Sequence, residues 1–248
     1  MMAEMFCLGA VFGGFGGLFG VGGGIIAIPT LVLAFHMDQQ TAQGTAMVMI
    51  LPTVLRGFYK YQRRNNLNMR MALVLAVSAV VATYVFAHVA NAMSTGELRA
   101  AFGVFLACIA IYLAYKAVLR PDTSNNARQP LPWIYSWIVG AVGGALSGLF
   151  GVGGATIAPP ALTTFFGLSQ TAAQGLALAM IVPGIVVALG VYAQAGAVNW
   201  GFGIAMAIGG LITVPLGVAA AHNMRDERLK LMFSGFVMLS ALMIFVSR

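Results

Sequence analysis

The sequence predicts an all-α polytopic membrane protein made of two pseudo-symmetric halves. Three observations carry that expectation. The chain nearly repeats itself 131 residues further on, its composition is 60% hydrophobic and only 8% charged, and most of its basic residues fall in three clusters.

The repeat is exact enough to align by eye. Gly17-Leu18-Phe19-Gly20-Val21-Gly22-Gly23 recurs as Gly148-Leu149-Phe150-Gly151-Val152-Gly153-Gly154, and the register then holds without a gap. Pro29 answers to Pro160, Gln43-Gly44 to Gln174-Gly175, and Pro52 to Pro183. Between residues 9 and 52, 24 of 44 aligned pairs are identical. Later matches are sparser but in register, among them Tyr61 with Tyr192 and Asn68 with Asn199. A duplicated unit that keeps a glycine-rich break in both copies marks a membrane protein with its site at the repeat interface.

Composition makes lipid the solvent. Soluble domains carry about a quarter charged residues, whereas no charge occurs here between Arg128 and Arg225. The pI of 9.9 does not imply nucleic acid. Eleven of the 13 Lys and Arg lie within Arg56–Arg70, Lys116–Arg128 and Arg225–Lys230, a pattern that suits cytoplasmic loops. Cys7 and Cys108 lie in apolar segments without nearby His, so neither a disulfide framework nor a metal site is expected. The N-terminus has no basic region ahead of its first apolar run, so that run reads as retained rather than cleaved.

The apolar segments run as follows. The first half has 5–19, a break at 20–24, then 25–37, 41–59, 71–90 and 98–119. The second has 133–150, a break at 151–154, then 155–168, 172–195, 200–221 and 228–247. About 20 residues are needed to cross a bilayer as a helix, and the runs starting at 41, 71, 98, 172, 200 and 228 qualify. Pieces beside each break are shorter. The polar, proline-rich stretch 120–132 is the join, read as a cytoplasmic linker between a first repeat at 1–119 and a second at 133–248.

Each broken segment is either one crossing with an unwound middle or a re-entrant hairpin. The first reading makes the halves parallel and the second makes them inverted. Loop charge favours inversion: with hairpins, all three basic clusters fall inside, leaving Arg99 and Arg248 outside.

The breaks are where chemistry is expected. At membrane depth an unpaired backbone N–H is tolerated only where it faces protein or a water-filled cavity. Gly20, Gly22, Gly23 and Gly24 let backbone approach a ligand, and a half-helix starting near residue 25 presents free N–H groups and partial positive charge. Such amides bind an anion without formal charge. Gly151, Gly153 and Gly154 supply the matching half. Pro29 and Pro160 are expected to kink the half-helices rather than start them. Gly9, Gly13, Gly17, Gly140, Gly144 and Gly148 recur every four residues and read as packing glycines. A phosphate loop is excluded, since no Gly-Lys-Ser/Thr follows.

Glu4, Asp38, Glu97, Asp122, Asp226 and Glu227 all lie at or beyond segment ends. Cation and proton sites usually place a carboxylate within the bilayer, so a small anionic substrate fits better, and the coupling ion, H⁺ or Na⁺, stays open. Gln43 and Gln174 each offer an amide donor to an anion or an interhelical hydrogen bond. Gly44, Gly175 and, in the first copy, Thr45 accompany them. Arg56 reads as snorkelling to the cytoplasmic interface, with steering of anions as a lesser role. His36, His88 and His222 read as interfacial or structural, and Trp133, Trp137 and Trp200 as interface anchors.

The paired Gly-Leu-Phe-Gly-Val-Gly-Gly, each followed by a proline, resembles the signature of the TauE/SafE sulfite-exporter family of permeases. Gln43-Gly44-Thr45, Gln174-Gly175 and the loops ending near Asn68 and Asn199 are similar to that family too, and the resemblance covers essentially the whole chain. It implies a multi-pass protein of a bacterial or archaeal inner membrane that transports sulfite, sulfonates or sulfoacetate-like anions. The second copy departs from the first at Ala155 for Gly24, Leu176 for Thr45 and Pro159-Pro160 for Ile28-Pro29. The alternatives are an anion channel with the same loops, a membrane-embedded enzyme, for which no Ser-His pair, paired carboxylates or metal cluster lies at membrane depth, and a non-transporting scaffold.

Overall fold

The structure, a computed structural model, describes residues 2–19, 22–64, 67–119, 131–152, 154–224, 232, 235 and 237–240. Gly20, Gly153, most of the 120–132 join, the Arg225–Lys230 cluster and most of the 228–247 segment lie outside the described residues.

Among the described residues the regular structure is helical. The helices are α1 (Met2–Phe19), α2 (Gly24–Ala34), α3 (Gln39–Arg64), α4 (Met69–Ala92), α5 (Thr95–Leu119), α6 (Ser136–Phe150, led by a 3-10 turn at Trp133–Tyr135), α7 (Ala158–Phe166), α8 (Gln170–Gln194) and α9 (Trp200–Asn223). Helices at matching places in the duplication start in register: α3 and α8 at Gln39 and Gln170, α4 and α9 at Met69 and Trp200.

Short polar side chains set the starts. Asp38 accepts from the Thr41 N–H at 2.6 Å before α3, and Ser169 accepts from the Ala172 N–H at 3.3 Å before α8. Asn68 accepts from Arg70 and Met71 at 3.1 and 3.3 Å, and Asn199 from Phe202 at 3.1 Å. Ser94 and Glu97 form a reciprocal capping box ahead of α5. Asp38 and Glu97 therefore serve as helix caps. The return helices end alike: His36 and Gly167 adopt positive φ of 53° and 65°, while Met37 and Leu168 donate back six residues to Leu31 and Leu162.

Six described stretches are long and apolar enough to cross a membrane: Met2–Phe19, Met69–Ala92, Thr95–Tyr112, Trp133–Phe150, Ala172–Gln194 and Trp200–Ala220. The first arm of each broken segment thus reaches spanning length, whereas the sequence suggested pieces too short to span. The expected crossing at 41–59 is not among the six. α3 carries Gln39, Gln40, Thr41, Gln43 and Arg56, and every residue from Ala42 to Ile50 is buried. Protein rather than lipid surrounds this stretch, so it tolerates polar residues.

The largest interfaces pair α1 with α9 and α4 with α6, and α3 and α8 lie together between them. Glycine makes the first two possible. A methyl group on Gly9 would sit 2.1 Å from the Met206 carbonyl oxygen, one on Gly13 2.3 Å from Gly210 Cα, and one on Gly17 2.4 Å from the Val214 oxygen. In α6, methyls on Gly144 and Gly148 would fall 2.3 Å from the Ala79 oxygen and 2.5 Å from the Thr83 oxygen. These are the small-residue contacts that membrane helices use.

The same contacts give the directions. Residue numbers rise together along α1 and α9, and likewise along α4 and α6 (Gly140 at Leu75, Gly144 at Ala79, Gly148 at Thr83). α3 runs with α9, since Gly44 meets Ala197, Val48 meets Gly203 and Thr53 meets Gly210. α8 runs with α6, through Gly143 with Met180 and Gly184 with Ser147. α3 opposes α8, because Gln43 meets Tyr192 and Gly57 meets Leu178. So α1, α3 and α9 point one way, and α4, α6 and α8 the other.

At each break the chain turns back. A methyl on Gly23 would lie 2.4 Å from the Phe12 oxygen, and one on Gly154 2.5 Å from Gly143 Cα. Eleven residues of continuing helix would separate these pairs by about 16 Å. α7 begins at Ala158, after a 3-10 turn at Gly154–Thr156. Pro159 and Pro160 therefore sit in its first turn, where a missing N–H is harmless, and not at the expected kink. Pro29 lies inside α2.

Replacing Gly144 with Leu is expected to destabilise the fold by about 3 kcal/mol or more, because backbone has to move. Gly190→Ala, with nothing within 4 Å of the new methyl, is expected to be neutral or to stabilise by about 0.5–1 kcal/mol. Thermal unfolding of both variants in one detergent compares them.

Candidate functional site

The site is organised by α3, which passes both breaks. Ile50 lies under the first: its Cγ2 would be 2.8 Å from a methyl on Gly22 and its Cδ1 2.6 Å from one on Gly24. Met47 and Gln43 lie under the second, at 2.9 and 3.4 Å from a methyl on Gly151. The breaks themselves meet, since a methyl on Gly24 would lie 3.6 Å from the Gly151 carbonyl oxygen. Gly22, Gly23 and Gly151 take φ of 75°, 82° and 68°, the left-handed region that disfavours a side chain.

Gln43 is fully buried beside this meeting point. Its Oε1 accepts the Tyr192 hydroxyl at 2.7 Å, and its Nε2 has no hydrogen-bond partner. The same hydroxyl lies 3.1 Å from the Gly148 oxygen. A tyrosine has one proton to donate. The shorter contact directs it to Gln43, which leaves the amide N–H₂ as the open end. Three further buried oxygens without partners belong to the second broken segment, Ser136 Oγ, Ser147 Oγ and Thr156 Oγ1, and both amide atoms of Gln39 are unpartnered as well. Buried polar groups are normally satisfied, so the Gln43 N–H₂ beside the two turns is a donor that a hydrogen-bonding guest would complete.

The duplication brings Gly22, Gly23, Gly24, Gln43 and Gly151 together. Gly154 packs on Gly143 and Met180. Gly44 and Thr45 are directed to the start of α9: a methyl on Gly44 would lie 2.0 Å from the Ala197 oxygen, and Thr45 Oγ1 accepts the Asn199 N–H at 2.9 Å. Gly175 packs against Leu67, and Gln174 is only half-buried. Gly20 and Gly153 lie outside the described residues. Arg56, read as snorkelling to the cytoplasmic interface, is exposed and donates to the Leu211 carbonyl in the middle of α9.

Tyr192 is an addition to the site through its bond to Gln43, and Ser147 and Thr156 are buried hydroxyls of the second broken segment. The Tyr61–Tyr192 match marked the first of these. Ser147 and Thr156 stand where the first copy has Gly16 and Ile25, so a column-by-column comparison of the copies would have flagged both.

Tyr192→Phe leaves Gln43 with no partner on either amide atom. It is expected to cost about 1–3 kcal/mol, read as a fall in the unfolding midpoint of the purified protein.

The family profile described as "Sulfite exporter TauE/SafE" matches residues 5–244. The chain is similar to YunE, a probable membrane transporter protein of Bacillus subtilis, at 26% identity over 241 residues, which covers 89% of this chain and 88% of that one. It is 29% identical to YdhB of the same organism, also a probable membrane transporter protein, over 181 residues and 72% of each chain. A probable membrane transporter protein of Methanocaldococcus jannaschii is 27% identical over 168 residues, 65% of this chain and 61% of that one. No solved structure matches. A profile that spans nearly the whole chain, joined to six helices able to cross a bilayer, places the protein in the cell membrane as a multi-pass transporter rather than an enzyme. The chain belongs to the TauE/SafE sulfite exporter family.

Proposed function

We propose that the chain is a secondary transporter of a small anion, sulfite or an organosulfonate, working by alternating access between two inverted repeats at 1–119 and 133–248 joined by a cytoplasmic linker at 120–132. The observation that carries this reading is the Gln43 amide. A fully buried N–H₂ donor without a partner lies where two glycine turns meet, and a donor in that position suits an oxyanion.

The directions of the helices support the symmetry. Each pair that corresponds in the duplication, α1 with α6, α3 with α8 and α4 with α9, points in opposite senses. Inverted repeats that meet at turned-back helices are a recurrent transporter plan, with backbone N–H groups aimed at an anionic substrate. In this reading Gly22, Gly23, Gly24 and Gly151 supply close backbone, and Gln43 supplies the side-chain donor. Gly20, Gly153 and Gly154 extend the turns. Gly44, Thr45, Gln174 and Gly175 hold the neighbouring helix starts in place.

The closed site favours a transporter over a channel. Gly22, Gly23, Gly24, Gln43 and Gly151 are all buried. The pocket beside Gly22, lined also by Thr53, Gly57 and Val214, has about 20 Å³ of free space, room for roughly one water molecule. Sulfite needs the halves to move before it can enter.

The test is sulfite uptake into proteoliposomes. Saturable uptake stimulated by internal unlabelled sulfite is expected. Gln43→Met keeps the volume but removes the donor, and is expected to lower uptake about ten- to a hundredfold with an unfolding midpoint close to that of the unmodified protein. Undiminished uptake by Gln43→Met contradicts the site, and large unitary currents favour the channel. Gly22 is a poor probe, because its φ of 75° penalises any side chain.

A further inference from the structure

We infer that Arg56 binds the transported anion directly and links that binding to the bend of α9. This rests on the transporter reading above and adds to it a charged substrate ligand outside the glycine turns.

The starting point is Pro215, inside α9. Proline has no N–H, so the carbonyl four residues earlier, that of Leu211, loses its helical donor. Arg56 of α3 donates its Nη1 to that carbonyl. Leu211 is at the middle of α9, and Trp200–Ala220 is one of the six membrane-crossing stretches. A full positive charge therefore sits opposite the centre of a spanning helix.

A carbonyl freed by proline needs only a hydroxyl, a water or a local adjustment of the helix to satisfy it. A guanidinium at this depth is costly to solvate, and such residues mark substrate pathways. Among the described residues no carboxylate is bonded to it. The described bonding of Arg56 is to the Leu211 carbonyl alone. Asp38 and Glu97 are engaged as helix caps. The guanidinium carries five N–H donors, and its side chain is exposed rather than packed away.

Its neighbours in sequence reach the first break. Val54, two residues earlier, would touch a methyl on Gly22 at 3.0 Å. Thr53 and Gly57, on either side of it in sequence, line the small pocket that Gly22 shares with Val214 and Val218 of α9. Gln43 and Arg56 thus lie on either side of Ile50 along α3, Gln43 at the second break and Arg56 two residues past the Val54 contact with the first. Guanidinium suits a planar or pyramidal oxyanion because it offers paired N–H donors. An anion arriving at the first break draws Arg56 from the Leu211 carbonyl, reopens the gap at Pro215 and lets α9 bend there. α1, packed along α9 through Gly9, Gly13 and Gly17, moves with it.

Initial rates of sulfite uptake against sulfite concentration test this in the unmodified protein, R56Q, R56K, P215A and the double variant R56Q/P215A. R56Q is expected to raise KM about ten- to a hundredfold, as loss of a charged hydrogen-bond partner does, and R56K to fall between R56Q and the unmodified protein. P215A restores the N–H that Leu211 lacks, so a purely structural Arg56 becomes dispensable in the double variant. Binding predicts that R56Q/P215A keeps the raised KM, and it serves as the folded comparison where R56Q alone is unstable. An unchanged KM in R56Q, or a KM returned to normal by P215A, overturns the inference. Absence of anion uptake by the unmodified protein overturns the transporter reading, and this inference with it.

Discussion

Close backbone contact between helices far apart in sequence is the constraint on which the rest depends. α1 lies on α9 and α6 lies on α4 at distances that leave no room for a Cβ on the facing glycines. With lipid outside, apolar burial contributes little to holding helices together, and dispersion between closely approaching backbones takes its place. The contact crosses the duplication, so the first helix of each half is held by a helix of the other. Neither half completes its own packing.

That exchange positions the turns. With α1 fixed along α9 and α6 along α4, the chain leaving each must turn back, and both turns arrive on α3. Ile50 and Val54 receive one, and Gln43 and Met47 the other. The two copies then diverge in chemistry. The second carries the hydroxyls of Ser147 and Thr156 where the first has Gly16 and Ile25. The first carries Thr45, which secures the start of α9 through Asn199, and Arg56, whose counterpart is Val187. The duplicated backbone thus carries unlike side chains at corresponding positions of the two halves.

Much of this was legible in the chain. Gly9, Gly13 and Gly17 were readable as packing residues from their spacing, whereas the capping by Asp38, Asn68 and Asn199 came from the structure. The 41–59 stretch was readable as a long helix and α3 covers it, but it falls short of the apolar content of the six spanning stretches, its Ala42–Ile50 part being buried among other helices. The start of α7 was misplaced because Pro159-Pro160 permits a later, first-turn position. Gln43 was visible as a paired residue, but its hydroxyl partner lies 149 positions away and nothing local points to it. Arg56 was harder still. Its role depends on a carbonyl released by a proline in another helix, a relation that no window of sequence contains.

The opposed orientation of the two halves is tested most directly by labelling equivalent positions from one side of the membrane. Met69 and Trp200 open α4 and α9, are 62% and 50% exposed, and correspond in the duplication. Each is replaced singly by cysteine in a chain whose Cys7 and Cys108 are serine, and intact cells are treated with a membrane-impermeant maleimide. Labelling of one position in intact cells, with the other reached only after permeabilisation, is the expected result. Labelling of both from the same side contradicts the inverted arrangement.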